Sequence, residues 1–239
     1  DAHRQFNHGQ YLGEKKDEVE TLSDGTKLGD PFKELQITLS SDNPNKGKFG
    51  CVRTITGSTC NYNEGSGNKS HAGIDITASV GTLVHALHGG SVFATNTDFD
   101  KQNIEFIDNE NVDSKGKIRR PNKGFKGRYG CHYKKGSLGN YIIVKTTLQG
   151  DKTVTTTNNK KVKVFYTLYA HLNEVNVKDG QQIKDGDIIG TTGCSGNSAS
   201  YSDKEAYHLH IEASSKSTLF GRGKIRDINP INILTTKLK

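Results

Sequence analysis

Apolar and polar residues alternate in short runs along much of this chain. Leu35-Gln36-Ile37-Thr38-Leu39 has a period of two, as does Tyr207-His208-Leu209-His210-Ile211-Glu212-Ala213, and that period marks a strand with one face buried. The same reading predicts strands over residues 74–77, 83–87, 91–95, 141–147, 162–169, 182–184, 187–191 and 208–213. Each is bounded by Gly, Asn, Asp or Ser turns. Helical spacing is almost absent, so the chain reads as an all-β, antiparallel protein with a groove. The stretch 41–48, with Pro44 and Gly47, reads as a turn cluster. Residues 1–30 are polar and form a lead-in: a tail, a linker remnant or a short helix packed on the domain. Asp30-Pro31-Phe32 opens the ordered part, and residues 31–239 form one domain.

Composition narrows the class. Hydrophobic residues make up only 31% of 239, and 27 glycines fit a protein built of many turns. No run of about 18 apolar residues occurs, so no helical membrane span is expected. The sequence starts at Asp1 without an apolar leader, so it reads as a mature form or an excised domain. Lys and Arg total 33 against 26 Asp and Glu, a net +7 that suits anionic surroundings such as cell-wall polymers. The denser basic stretches, 115–120 and 123–128, read as solvated loops. No helical basic motif or aromatic RNA-binding signature accompanies them, which argues against nucleic acid as a partner.

Two segments carry chemistry: His71-Ala72-Gly73-Ile74-Asp75 and His208-Leu209-His210. His and Asp ligate zinc, and three protein ligands with one position left to water make a catalytic zinc site. His208 and His210 share a strand face, so one can bind metal while the other handles protons. His71 and Asp75 would share a face on a helix, but Gly73 and the strand that follows favour a loop-to-strand geometry. Ser195, in Gly193-Cys194-Ser195-Gly196, lacks the G-x-S-x-G elbow of a serine hydrolase. Gly193 and Gly196 read instead as tight-turn residues.

In these segments the chain resembles the lysostaphin-like (LytM-type) zinc endopeptidases, which cut peptide bonds in bacterial peptidoglycan. That family has an H-x-G-x-D segment, a Y-x-H-L segment and an H-L-H segment, here His71 to Asp75, Tyr169-Ala170-His171-Leu172 and His208 to His210. The stretches 180–190 and 193–198 and the closing Asp227-Ile228-Asn229-Pro230 are also similar, in order, over roughly residues 49–234. Phe49-Gly50-Cys51-Val52-Arg53 resembles the family's Phe-Gly-x-Arg approach with one additional residue. The resemblance implies a duplicated-hybrid-motif barrel-sandwich with long loops walling a zinc cleft. It implies Zn2+ held by His71, Asp75 and His210, with His171 and His208 as general base and acid in an order the sequence does not give. Tyr62 stands where some relatives carry an oxyanion-stabilising tyrosine, with cleft-wall packing as the alternative. Asn140, beside the central strand, is a candidate for substrate contact. His3, His8, His85, His88 and His132 have no partner pattern and read as surface or packing residues. Residues 96–136 and 199–207 are longer than in the family and are expected to wall the cleft.

The implied activity is zinc-dependent hydrolysis of peptide cross-links in peptidoglycan. The implied setting is extracytoplasmic, either periplasmic or secreted. Wall remodelling, a bacteriolysin and a delivered antibacterial toxin all suit it. Stem peptides or cross-bridges are the expected substrates, with a delivery or inhibitor protein as a further partner. No wall-targeting module is visible, which favours stem-peptide cross-links over pentaglycine. The alternative is a non-catalytic wall-binding or hydrolase-activating relative, but such relatives lack metal ligands and this chain keeps all three. The four cysteines allow three connectivities. An oxidising site of action favours Cys51–Cys60 and Cys131–Cys194, against four independent buried thiols.

Overall fold

The computed structural model describes residues 19–38, 44–54, 57, 59–62, 64–99, 137–198, 207–221 and 224–238, and the strand backbones at 105–107, 111–112, 118–119 and 128–130. Its strands are β1 (Gly50–Arg53), β2 (Lys69–His71), β3 (Ile74–Thr77), β4 (Leu83–His85), β5 (Gly90–Asn96), β6 (Glu105–Ile107), β7 (Asn111–Val112) and β8 (Ile118–Arg119). They continue with β9 (Arg128–Gly130), β10 (Asn140–Thr147), β11 (Val154–Thr155), β12 (Lys161–Val162), β13 (Val164–Val175), β14 (Gln182–Ile183), β15 (Ile188–Thr192) and β16 (His208–Ser214). Two short 3-10 turns, Ser217–Leu219 and Pro230–Ile233, are the only helical elements among the described residues.

Eight strands form the main antiparallel sheet, in the order β14-β5-β10-β13-β15-β4, with β16 joining β13 to β3. The sheet forks along β13. Tyr166 to Ala170 pair with β16, whereas from Leu172 onward the same strand pairs with β15. His171 is the residue between the two pairings. The antiparallel, sandwich-like arrangement agrees with the expected barrel-sandwich; among the described residues the sheet branches and does not close into a barrel.

Alternation sorts the side chains. Ile74 and Ile76 of β3, Leu209, Ile211 and Ala213 of β16, Val84, Ile189, Ile142, Phe165 and Tyr169 share one buried cluster fed by both arms of the fork. The Tyr169 hydroxyl accepts the Leu87 amide at 2.9 Å, and burial raises its pKa. The intervening residues of β3 and β16 face the other way, so Asp75, His208, His210 and Glu212 share one surface of the sheet with Ala170 and Leu168.

Several expected elements change shape. Of the strand expected at 35–39, Ile37 makes one bridge to Ile76, and Leu39 lies outside the described residues. The strand expected at 162–169 divides at Lys163 and then runs on to Val175. The β1–β2 hairpin is not among the expected strands, and the Cys51–Cys60 disulfide ties its first strand to the connecting loop. Cys194 is buried and disulfide-bonded, and Cys131 lies outside the described residues. So do His3, His8 and His132, most of the two long loops, and all of the basic stretches except the backbone of β8 and Arg128.

Part of the polar lead-in is tied to the domain. Asp24 accepts from Nε2 of His85 at 2.8 Å, whose Nδ1 donates to the Gly186 carbonyl at 2.7 Å. One Asp30 oxygen accepts the amides of Thr235 and Thr236 at 3.0 and 2.9 Å. Asp30 thus ties the described N-terminal segment to the C-terminal one.

Candidate metal centre

Each convergent side chain is aimed by its own backbone. His71 closes β2 opposite Gly50, and its Nδ1 donates to the Lys48 carbonyl at 2.8 Å. That fixes Nε2 toward Oδ1 of Asp75, 3.3 Å away. Between the two residues the chain passes directly under β16. A Cβ at Gly73 would collide with the Ile211 carbonyl and press on the Glu212 side chain, so the central glycine of His71-Ala72-Gly73-Ile74-Asp75 is a packing requirement.

Asp75 stands opposite His210 across the β3–β16 pairing. Its Oδ1 lies 2.7 Å from Nδ1 of His210 and 3.5 Å from Nε2 of His208. Its other oxygen faces Arg53 at 3.9 Å. The remaining nitrogen of His210, Nε2, donates to Glu212 Oε1 at 3.1 Å. Three potential ligand atoms, one each from His71, Asp75 and His210, lie within 4.8 Å of one another. The donor set of two imidazoles and one carboxylate suits zinc. Both of these imidazoles also have their outward nitrogen engaged, as metal-binding histidines do.

His171 comes from the fork. Its φ of 60° is left-handed, a region that non-glycine residues rarely occupy and that clusters at functional sites. Nδ1 donates to the Ser195 carbonyl at 2.7 Å, so Nε2 is left for the cleft. The His171 ring lies 5.1 Å from His208 and 5.6 Å from His210, centroid to centroid. Ser195 itself is buried, accepting the Asn140 amide at 2.9 Å and donating to the Leu172 carbonyl at 2.8 Å. Its hydroxyl is used up by the scaffold. A Cβ on Gly196 would strike the backbone of Ser137 and Gly139, so this turn seats backbone on backbone and sets the Ser195 carbonyl beneath His171.

Burial shapes the electrostatics. It opposes ionisation of Asp75, but the neighbouring His71 and His208 and the hydrogen bonds from His210 and His71 hold the carboxyl well below its ordinary range. Burial likewise opposes a proton on His210, yet its bonds to Asp75 and Glu212 raise it to about 9. Burial and the nearby histidines push His171 well below the ordinary histidine value. His208 is lowered as well, chiefly by burial. The carboxylates thus favour positive charge at one point, while His171 and His208 stay neutral beside it.

Two other expected residues occupy scaffold positions. Tyr62 packs edge-on against Phe49 at 4.8 Å, and its hydroxyl accepts the Arg226 amide at 2.9 Å. Asn140 is buried. Its amide group exchanges hydrogen bonds with the Phe99 backbone at 2.8 and 3.0 Å and also reaches the Asn173 carbonyl. His85 and His88 pack within the domain, as expected; His88 bonds the Ile233 carbonyl at 3.0 Å and stacks edge-on with Phe165. Glu212 and Arg226 had escaped the sequence reading, although alternation already put Glu212 on the face of His210.

The sequence pattern of peptidase family M23 matches residues 129–221. That stretch is similar to peptidase family M23. It contains His171, His208 and His210, while His71 and Asp75 lie upstream of the matched segment. Among solved structures, the chain is similar to a mutant catalytic domain of the prophage-encoded M23 protein EnpA from Enterococcus faecalis. Identity there is 18%, coverage 74% of this chain and 88% of that one, and the TM-score 0.36. The catalytic domain of the antimicrobial peptidase lysostaphin from Staphylococcus simulans matches at 22% identity, covering 75% and 84%, with a TM-score of 0.36. A zinc-containing peptidase from Vibrio cholerae matches at 19% identity and a TM-score of 0.41; 78% of this chain aligns to 36% of that one. No curated protein matches the chain in sequence. No helix among the described residues is long and apolar enough to cross a membrane.

Proposed function

We propose that the chain is a zinc-dependent endopeptidase that hydrolyses peptide cross-links of bacterial peptidoglycan outside the cytoplasm. The observation that carries this reading is the convergence of His71, Asp75 and His210 beside two further histidines, His171 and His208. In this reading His71, Asp75 and His210 hold the zinc. When bound there, zinc supplies a Lewis acid for the scissile carbonyl and lowers the pKa of water.

The chain's own residues then handle orientation and protons. His171 has its Nδ1 fixed on the Ser195 carbonyl, so Nε2 is the atom that can take or give a proton. Its lowered pKa keeps it neutral and able to accept one at physiological pH. His208 faces it across the cleft on β16 and serves as the second proton carrier. Glycosidic cleavage would call for a pair of carboxylic acids flanking the bond; here Asp75 and Glu212 are both spent on histidines.

Digestion of purified walls tests the proposal. Free amino groups should appear and cross-linked fragments fall, without new reducing ends, and a zinc chelator should stop the reaction. His210→Ala should lose most of its zinc, whereas His171→Ala should keep the metal and lose turnover. Full zinc content after removal of both His71 and His210 would overturn the ligand assignment.

A further inference from the structure

We propose that Glu212 and Arg226 are positioning residues that hold His210 in its metal-facing orientation and so set the affinity of the site. The inference deepens the proposed function and rests on its ligand assignment.

The imidazoles of the two proposed histidine ligands are not supported alike. His71 leans on a neutral carbonyl, that of Lys48. His210 leans on a carboxylate, Glu212 Oε1, at 3.1 Å. The other oxygen of that carboxylate, Oε2, receives Nε of Arg226 at 2.6 Å. Arg226 in turn donates Nη1 to the carbonyls of Gly221 and Lys224 at 2.9 and 2.7 Å, and its backbone amide donates to Tyr62. Its guanidinium also lies 5.7 Å from the centroid of the Phe220 ring. Glu212 and Arg226 are only 2% and 4% exposed.

A buried ion pair is a poor way to add stability, because desolvation of both groups offsets their attraction. Its geometry gives it another use. A carboxylate on Nε2 requires the proton of neutral His210 to sit there, which leaves Nδ1 as the lone-pair nitrogen facing Asp75 and His71. Arg226 occupies the second oxygen of Glu212, so the carboxylate cannot swing round and offer itself as a competing ligand. The contacts to Gly221, Lys224 and Tyr62 fix the guanidinium in turn. Tyr62, reached from the β1–β2 hairpin, thereby belongs to the support of the site through Arg226.

The test is zinc affinity measured by competition with a chromophoric chelator at fixed pH, on the whole chain. Glu212→Gln and Arg226→Lys should each bind one zinc about 10- to 100-fold more weakly than the unaltered protein. Arg226→Lys keeps the charge and is the variant to use if Glu212→Gln does not fold. In a His210→Ala background, Glu212→Gln should cause no additional loss, because its effect passes through that imidazole. A merely structural role would lower the melting temperature of the metal-free protein and leave zinc affinity unchanged, which would overturn the inference. Retention of full affinity by His210→Ala would instead overturn the underlying ligand assignment. Loss in His210→Ala with none in either Glu212→Gln or Arg226→Lys would sink this inference alone.

Discussion

His171 combines an unfavourable backbone with the proposed proton-carrying role. A left-handed conformation costs an L-residue roughly 1–2 kcal/mol, and the fork of the sheet holds it there. Replacement by glycine should therefore give a protein about 1 kcal/mol more stable than replacement by alanine, with turnover lost in both; denaturant unfolding of the two variants checks this. The opposite pattern should hold at Gly73. Its position is not one of left-handed backbone but of contact, so Gly73→Ala should destabilise the fold by roughly 1–3 kcal/mol and displace Asp75 from His210. A shifted unfolding midpoint together with weakened metal binding is the expected result. Neither role is visible in residue types alone. The ligand candidates were legible because alternation and spacing put His208 and His210 on one face, whereas the φ of His171 depends on which strands flank it.

Strands are fixed at two levels, and only one is local. The runs that became β5, β10, β15 and β16 were readable because they alternate and end at turn residues. The β1–β2 hairpin was not, since Gly50-Cys51-Val52-Arg53 has little alternation and its partner strand lies beyond a long connecting loop. The far half of β13 was missed because the sequence reading stopped at Tyr169, before the strand exchanges β16 for β15. The Glu212–Arg226 pair was hidden for a related reason: its partners are 14 residues apart, and only the return of the chain brings them together. At this scale Asn140 anchors the start of β10 to the backbone beyond β5. Asn140→Ala removes the bonds to the partly buried backbone of Phe99, so it should cost about 1 kcal/mol in unfolding free energy.

The described chain is tied at two places, the lead-in with its Asp24 and Asp30 contacts and the candidate metal centre. Asp24 sits at the first. Its backbone hydrogen bond from Thr26 and its bond with His85 lower its pKa from 3.8 to about 2. A carboxylate depressed in the folded state adds stability above its unfolded pKa, and that contribution fades as pH falls through its folded value. Asp24→Asn should thus flatten the loss of stability between about pH 4 and pH 2, and its effect should be small because the side chain is half exposed. At the second tie, β2, β3 and β16 each contribute one proposed ligand. Zinc should raise the melting temperature in proportion to the logarithm of its concentration over Kd, and chelation should reverse the gain.

The fork in β13 also bears on the order in which the protein becomes competent. One arm, β16 with β3, carries His208, His210 and Asp75; the other, β15 with β4, leads into the turn whose Ser195 carbonyl orients His171. A nascent or partly refolded chain with a single arm in place could gather acidic and imidazole groups, but its proton carrier would have no fixed direction. The proposed hydrolytic capacity would then arrive last, after both halves have locked around the same residue. In a refolding time course, strand circular dichroism should recover before turnover does; simultaneous recovery would mean that the two arms assemble in one step.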